Sequence, residues 1–537
     1  MAIDSPFVAV CIALLVSACA TPPIAQAPAI PPPAQTPTQQ QPQKAAGPTL
    51  LAAAQPVTGV IISQYKPQAP TSLWEVLRRD FDLPLELDNP RIQVQRNWYI
   101  KHPKYLQRVT ERAGRYAWYI HRELQQRDMP AEIALLPIVE SAYDPFAYSH
   151  GRAAGLWQFI PATGRRFGLK QDWWYDGRRD VIDSTRAALD YLQYLHKRFQ
   201  GDWLLALAAY NSGEGTVNSA VRRNRKSGKP TGFWDLKLPR ETRAYVPKLI
   251  ALGQLIDTPF DYGIELDPVP NQPYFQSVDT GGQIDLAVAA ELAGIELETL
   301  YRLNPGFNQW ATAPEGPHRL LVPAAATATF RQALEQLPAE KRIQWKRVKV
   351  GSGKTLSHIA RRYHTTVEVL KTANQLRGSS IRAGKYLMVP VSSKAQESYK
   401  LSAAQRLYRK QNSSRKGYKT RHIVRHGDTL WDLSREYKVG VRSLASWNGM
   451  APGDPLRIGQ TLVVWTHQLS SQGLHPGARV RPIHYTVRKG DSLARIASRF
   501  KVTIADLRRW NRLPKGKYLQ PGQHIKLYVD VTRQTGA

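Results

Sequence analysis

The strongest constraint on this 537-residue chain is an internal repeat in its C-terminal part. Three segments share one pattern: GKTLSHIARRYHTTVEVLKTAN from Gly353 to Asn374, GDTLWDLSREYKVGVRSLASWN from Gly427 to Asn448, and GDSLARIASRFKVTIADLRRWN from Gly490 to Asn511. The interval from glycine to asparagine is 21 residues in each. Each copy runs on into a strand-like stretch, IRAGKYL, LRIGQTL or LQPGQHI. A fixed period means that each copy is one supersecondary unit. Two short amphipathic helices between strands, a βααβ unit, is the natural reading over 345–391, 421–465 and 483–529. A fourth, degenerate copy is expected over 276–323. There Leu286, Ala290, Leu300 and Asn304 keep the offsets and Gln283 replaces the glycine.

Charge divides the chain at the same place. Residues 1–340 carry 34 Lys and Arg against 33 Asp and Glu, whereas residues 341–537 carry 40 against 9. A region of net charge +31 seeks polyanions such as nucleic acid, an anionic membrane or an acidic cell-wall polymer. No recognition helix or zinc finger is evident, so no nucleic-acid partner is expected. The sequence GSGKT at 351–355 imitates the end of a phosphate-binding loop, but Val348 stands where that motif needs glycine. GDT and GDS occupy the same place in the other repeats, so GSGKT reads as a repeat turn. The two cysteines, Cys11 and Cys19, lie at the N-terminus, and the histidines show no HExxH or other ligand spacing. No metal or cofactor is expected. The stretches around 393–420 and 466–482 are basic and bear Ser or Gly, as tethers do.

Residues 7–18 read FVAVCIALLVSA and precede Cys19. A spanning helix needs about 20 apolar residues, so this run fits a secretory signal over 1–18 instead. The preceding MAIDSP departs from the usual positive start, with Asp4 and no Lys or Arg. VSAC resembles a bacterial lipobox, which implies lipidation at Cys19 and an envelope protein anchored to a membrane on its periplasmic side, an outer-membrane lipoprotein. Residues 19–70 are rich in Pro, Gln and Ala and read as a disordered tether.

Between 71 and 262 the apolar spacing is helical. Pro130 opens PAEIALLPIVESAYDP, in which Pro137 should kink the helix just before Glu140 and Asp144–Pro145 should mark the exit turn. One carboxylate thus ends an apolar helix, where burial raises its pKa and keeps a proton available near neutral pH. GRAAGLWQFIPATGRRFGL follows, with Ala153, Ala154 and Gly155 small enough to let backbone approach a ligand. WLLALAAYNSGEG places Tyr210 and Asn211 before Gly213 and Gly215, read as helix stops, and ETRAYVPKLIAL carries Tyr245.

Together and in this order these four motifs resemble the catalytic domain of the lytic murein transglycosylases with a goose-lysozyme-like fold. The resemblance implies an α+β multidomain protein: an all-α lysozyme-like domain followed by small βααβ modules, the repeats resembling LysM modules that bind N-acetylglucosamine-containing glycans. It implies that Glu140 is the sole acid and later the base. Ser141, Ser149, Gln158, Tyr210, Asn211 and Tyr245 would line the glycan cleft, and Trp157, where many relatives have Met, would alter groove shape. The LysM resemblance implies glycan-binding turns at Gly353 and Thr355, at Gly427, Asp428 and Thr429, and at Gly490, Asp491 and Ser492. The expected partner is the peptidoglycan glycan strand, cut at its MurNAc–GlcNAc β-1,4 bond to leave 1,6-anhydro ends.

Two-carboxylate glycosidases place their acids about 5–9.5 Å apart. No Asp or Glu follows Asp144 until Asp172, although Asp144, Asp202, Glu214 and Glu241 remain open as second carboxylates in space. The alternatives are a lysozyme-type hydrolase on the same fold, a non-catalytic wall-binding scaffold, and a nucleic-acid binder.

Overall fold

A computed structural model describes residues 72–466, 480–500, 502–511, 513 and 519–530. The signal, Cys19 and the whole of the tether, together with 467–479 of the second basic stretch, lie outside the described residues. The described N-terminal part is helical and surrounds one apolar core. Its centre is the helix Trp203–Ser212, in which Leu205, Ala206, Leu207, Ala208 and Ala209 are all buried. A helix apolar all round has to lie inside. Its start is fixed by Asp202, whose carboxylate accepts from Leu205 N at 2.9 Å, and Asp180 caps Val181–Arg198 by accepting from Asp183 N. The helices Val181–Arg198 and Arg240–Asp257 pack against this centre, and Arg240–Asp257 also packs against Pro90–Ile100.

Two local expectations change. The segment after Pro130 is not one kinked helix. It is a 3-10 turn, Ala131–Leu135, followed by a short α-helix, Leu136–Ser141, with Pro137 in the first turn. A proline there forfeits no intrahelical bond, so the break comes before it. Gly213 does stop its helix, at φ +85°, but Gly215 is the second residue of the next one, Glu214–Lys226.

Four two-stranded antiparallel sheets follow: Phe275–Asp279 with Arg319–Pro323, Gln344–Lys349 with Tyr386–Val391, Tyr418–Ile423 with Thr461–Thr466, and Val480–Thr486 with His524–Asp530. Each encloses two helices, and one asparagine explains the repeat period. Its Nδ2 donates to the carbonyl four residues back and to a carbonyl of the closing strand, while its Oδ1 accepts that strand's amide. Asn304 does this with Leu321 (2.8 and 2.8 Å), Asn374 with Met388 (2.8 and 2.7 Å), Asn448 with Val463 (2.8 and 2.7 Å) and Asn511 with Lys526 (2.9 and 2.6 Å). The side chain replaces a backbone ladder at the junction of helix and strand, satisfying groups that would otherwise be buried unpaired.

The stretch 393–420 is not a tether over its described length. Tyr399 is fully buried, and its hydroxyl donates to the carboxylate of Asp285 at 2.9 Å. Ser393 N donates to the same carboxylate at 2.7 Å, and Ala403 N to Asn308 O at 2.8 Å, where the helix Ala403–Asn412 begins. Asp285 caps Leu286–Leu292, the position held by Thr355, Thr429 and Ser492 in the other repeats. The segment after the first full repeat therefore covers the turn of the degenerate one. Trp310 Nε1, donating to His364 O at 3.0 Å, joins the same two repeats.

Candidate active site

Glu140 is the penultimate residue of Leu136–Ser141, a helix that ends in two left-handed residues, Ala142 (φ +52°) and Tyr143 (φ +53°). Leu136, Pro137 and Ile138 are buried, whereas Glu140 is half-buried, so the carboxyl stands where the core meets solvent. Its Oε1 accepts a hydrogen bond from the hydroxyl of Tyr245, on Arg240–Asp257. Burial pushes the Glu140 pKa up to about 7. The Tyr245 hydroxyl works against that rise, Glu241 adds to it and Lys248 opposes it. The Tyr245 phenol is itself raised well above its ordinary value, first by burial and then by Glu140, so it stays a donor.

The remaining expected cleft residues divide by what their polar atoms already do. Ser149 Oγ accepts from Gly151 N (3.2 Å) and Ala153 N (3.1 Å), so its own hydrogen is available to a ligand. Asn211 Oδ1 accepts from Thr242 Oγ1 at 2.8 Å, which points the amide N–H group elsewhere. Gln158, at φ +48°, donates from Nε2 to Gly155 O at 2.9 Å, and its side-chain oxygen has no partner among the described residues. Tyr210 donates to Trp157 O at 2.8 Å. Ser141 commits its one hydrogen to the carbonyls of Leu156 (2.9 Å) and Pro137 (3.1 Å), so it ties the acid's helix to the GLWQF segment rather than offering a donor to the cleft.

Two expectations are corrected here. Trp157 is 0% exposed, and its indole donates to Thr185 Oγ1 at 3.0 Å, so it fills the core and shapes no groove. Gly155, at φ +83°, would place a Cβ 2.0 Å from Arg178 O. The close approach that requires glycine is to the chain's own backbone, not to a ligand. Thr242, the residue that orients Asn211, was not singled out in the sequence. Its only signal is its place three residues before Tyr245, which puts both on one helix face.

Of the four open carboxylates, Asp202 caps a helix and Asp144 accepts from Phe146 N at 2.9 Å. Glu214 pairs with Arg198 (3.3 Å) and Arg166 (3.6 Å). Glu241, exposed and one turn before Tyr245, is the one that acts on Glu140. Among the described residues no group of three or more His, Cys, Asp or Glu could hold a metal ion.

In the repeats, Gly353, Gly427 and Gly490 all have positive φ, at +69°, +87° and +90°. Asp428 Oδ2 accepts from Arg425 N (2.7 Å) and meets His422 Nε2 (2.8 Å), and Asp491 Oδ2 accepts from Arg488 N (2.8 Å) and Tyr485 hydroxyl (2.7 Å). Thr355, Thr429 and Ser492 cap the helices that follow. These aspartates and caps shape the turns and leave backbone groups as the open donors and acceptors. The first repeat has Lys354 in the aspartate position and lacks that clamp.

The family model "Transglycosylase SLT domain" matches 118–231, "Lytic transglycosylase MltD, LysM-like domain" matches 274–339, and "LysM domain" matches 348–390, 422–465 and 485–527. The membrane-bound lytic murein transglycosylase D of Escherichia coli strain K12 is 37% identical over 389 residues, which cover 69% of this chain and 82% of that protein. The chain belongs to the membrane-bound lytic murein transglycosylase D family. A putative tributyltin chloride resistance protein of an Alteromonas species is 44% identical over 162 residues, 29% of this chain and 78% of that one. The solved soluble lytic transglycosylase SLT70 of Escherichia coli is 25% identical, covering 27% of this chain and 24% of that one, with a TM-score of 0.20. The transglycosylase family model ends before Tyr245, so the partner of Glu140 comes from outside the matched span.

Proposed function

We propose that this protein is a lytic transglycosylase that cleaves the MurNAc–GlcNAc β-1,4 bond of peptidoglycan and closes the product as a 1,6-anhydro sugar. The observation that carries it is one carboxyl, Glu140, with a pKa pushed up to about 7 and a neutral phenol on one oxygen. The protonated acid delivers its proton to the leaving glycosidic oxygen. The N-acetyl oxygen of the same MurNAc attacks the anomeric carbon, and Ser149 and Asn211 carry free donors suited to hold such a group. Glu140, now a carboxylate stabilised by Tyr245, takes the proton of the C6 hydroxyl, whose oxygen attacks the anomeric carbon and displaces the N-acetyl oxygen, closing the 1,6-anhydro ring and leaving Glu140 protonated again. Intramolecular attack supplies by proximity what a second carboxylate would otherwise provide.

The repeats bind the same polymer through their turns, assisted by a basic surface against the carboxylates of peptide stems. The N-terminal signal and lipidation at Cys19 would place the enzyme at a bacterial membrane facing the wall. Among the described residues no helix is long and apolar enough to cross a membrane.

Glu241 favours a second reading, a lysozyme-type hydrolase in which this neighbour activates water. Mass spectrometry of digested sacculi separates the two. Products lighter by one water than hydrolysis products support the transglycosylase, and reducing-end products alone support the hydrolase.

A further inference from the structure

The loop that carries Ser149 is gripped from a distant part of the chain. Asp454 belongs to the turn after Val441–Trp447, the second helix of the second full repeat, where its Oδ2 accepts from Ala451 N at 2.8 Å. The same oxygen accepts from the Tyr148 hydroxyl at 3.1 Å, and Oδ1 pairs with Arg152 Nε. Tyr148 and Arg152 flank Ser149 on either side. The Asp454 side chain is 15% exposed and that of Arg152 is 42% exposed, so the pair is shielded on the carboxylate side and open to solvent on the other. Acidic residues are scarce in this strongly basic third of the chain, and this one faces an arginine.

The grip has a fixed base on both sides. Arg152, at φ +69°, is held on the enzyme side: its carbonyl accepts from Arg178 Nη1 at 2.8 Å, and Arg178 is fork-bonded to Asp176 at 2.9 and 2.8 Å. On the repeat side, the helix Ala403–Asn412 fills the space between. Arg406 lies over the Phe146 ring at 4.7 Å, and Gln411 Nε2 donates to Asn448 Oδ1 at 3.0 Å, the asparagine that closes the second repeat. The segment 146–152 is thus bounded by catalytic-domain backbone on one side and by the helix and second repeat on the other.

We propose that the second full repeat is a fixed part of the catalytic unit, and that Asp454, through Tyr148 and Arg152, positions the Ser149 loop for substrate. The proposal rests on the glycan-binding reading of Ser149. Tyr148, Arg152 and Asp454 are positioning residues, and the repeat acts on substrate binding in the cleft as well as on attachment to the wall.

The test uses the full chain with Asp454→Asn, which removes the charge and keeps an acceptor for Ala451 N. Arg152→Gln and the double variant attack the same contact from the other side. On a soluble peptidoglycan tetrasaccharide, which needs no anchoring, each single variant raises KM about threefold with kcat little changed, the size expected for one partly shielded ion pair. The double variant is no worse than either single one, because both remove one interaction. Amides of 146–153 exchange hydrogen faster in all three. Unchanged KM on the tetrasaccharide overturns the proposal, as does unchanged exchange or a defect confined to insoluble sacculi. If the wild-type protein turned over no glycan, the functional reading would fail, while the exchange measurement would still decide the docking.

Discussion

Glu132 and Glu140 lie eight residues apart in one segment, and burial pushes both carboxyls up to about 7. Their surroundings differ in kind. Glu132 is 0% exposed and accepts from Leu83 N at 2.7 Å and from Asp82 N at 3.0 and 3.1 Å. It joins the 3-10 turn to the chain before Pro90–Ile100, and every lone pair it uses is spent on backbone. Glu140 is half-buried, meets one phenol, and its Oε2 accepts nothing among the described residues. A raised pKa therefore does not by itself mark an acid catalyst. The distinguishing feature is an oxygen left over for a substrate.

Exchanging each carboxyl should pull the two apart. Glu140→Gln keeps the shape but cannot give a proton, so cleavage of sacculi should fall by about 10²–10⁴-fold while wall binding stays. Retention of more than a few per cent of activity would mean that another acid serves. Glu132→Ala should do the reverse. It strips the acceptor from the Asp82 and Leu83 amides, which should cost about 2–4 kcal/mol of stability in denaturant titration, with activity per folded molecule retained. A loss of turnover without loss of stability would make Glu132 part of the chemistry.

Smaller effects sharpen the contrast. Tyr245→Phe removes a bond that favours the Glu140 carboxylate, so its pKa should rise further. The alkaline limb of the pH–rate profile should move up by up to about one pH unit, and no movement would mean the phenol does not bear on the acid. The smallest effect is on stability. A carboxyl whose folded pKa is raised contributes fully below its unfolded value near 4.5, and that contribution is lost as pH rises through about 7. Glu140→Gln should therefore melt higher than wild type at pH 8, with the gap closing below pH 4.5. A gap independent of pH would mean the side chain acts by packing.

The repeats were legible because their period is set by residues that do local work. The asparagine of each copy bridges helix and strand, and the Thr or Ser after each turn caps a helix. Glu140 and Tyr245 were legible by resemblance, but their contact, 105 residues apart in sequence, was not. Trp157 looked like a groove residue because nothing in a sequence tells an inward indole from an outward one; Thr185 decides it. The 393–420 stretch looked like a tether because its basic surface residues outnumber Tyr399 and Leu401, its two buried apolar residues. Short helices and linkers are decided by tertiary contacts that composition does not contain.

The central claim is that Glu140 holds a transferable proton near neutral pH. Infrared difference spectra, wild type minus Glu140→Gln, isolate the protonated carboxyl band of that residue across a pH series. The band should disappear with a midpoint of about 7. A midpoint near the ordinary value of 4.5 would contradict the account, because the carboxyl would then be ionised at the pH where it has to act as an acid.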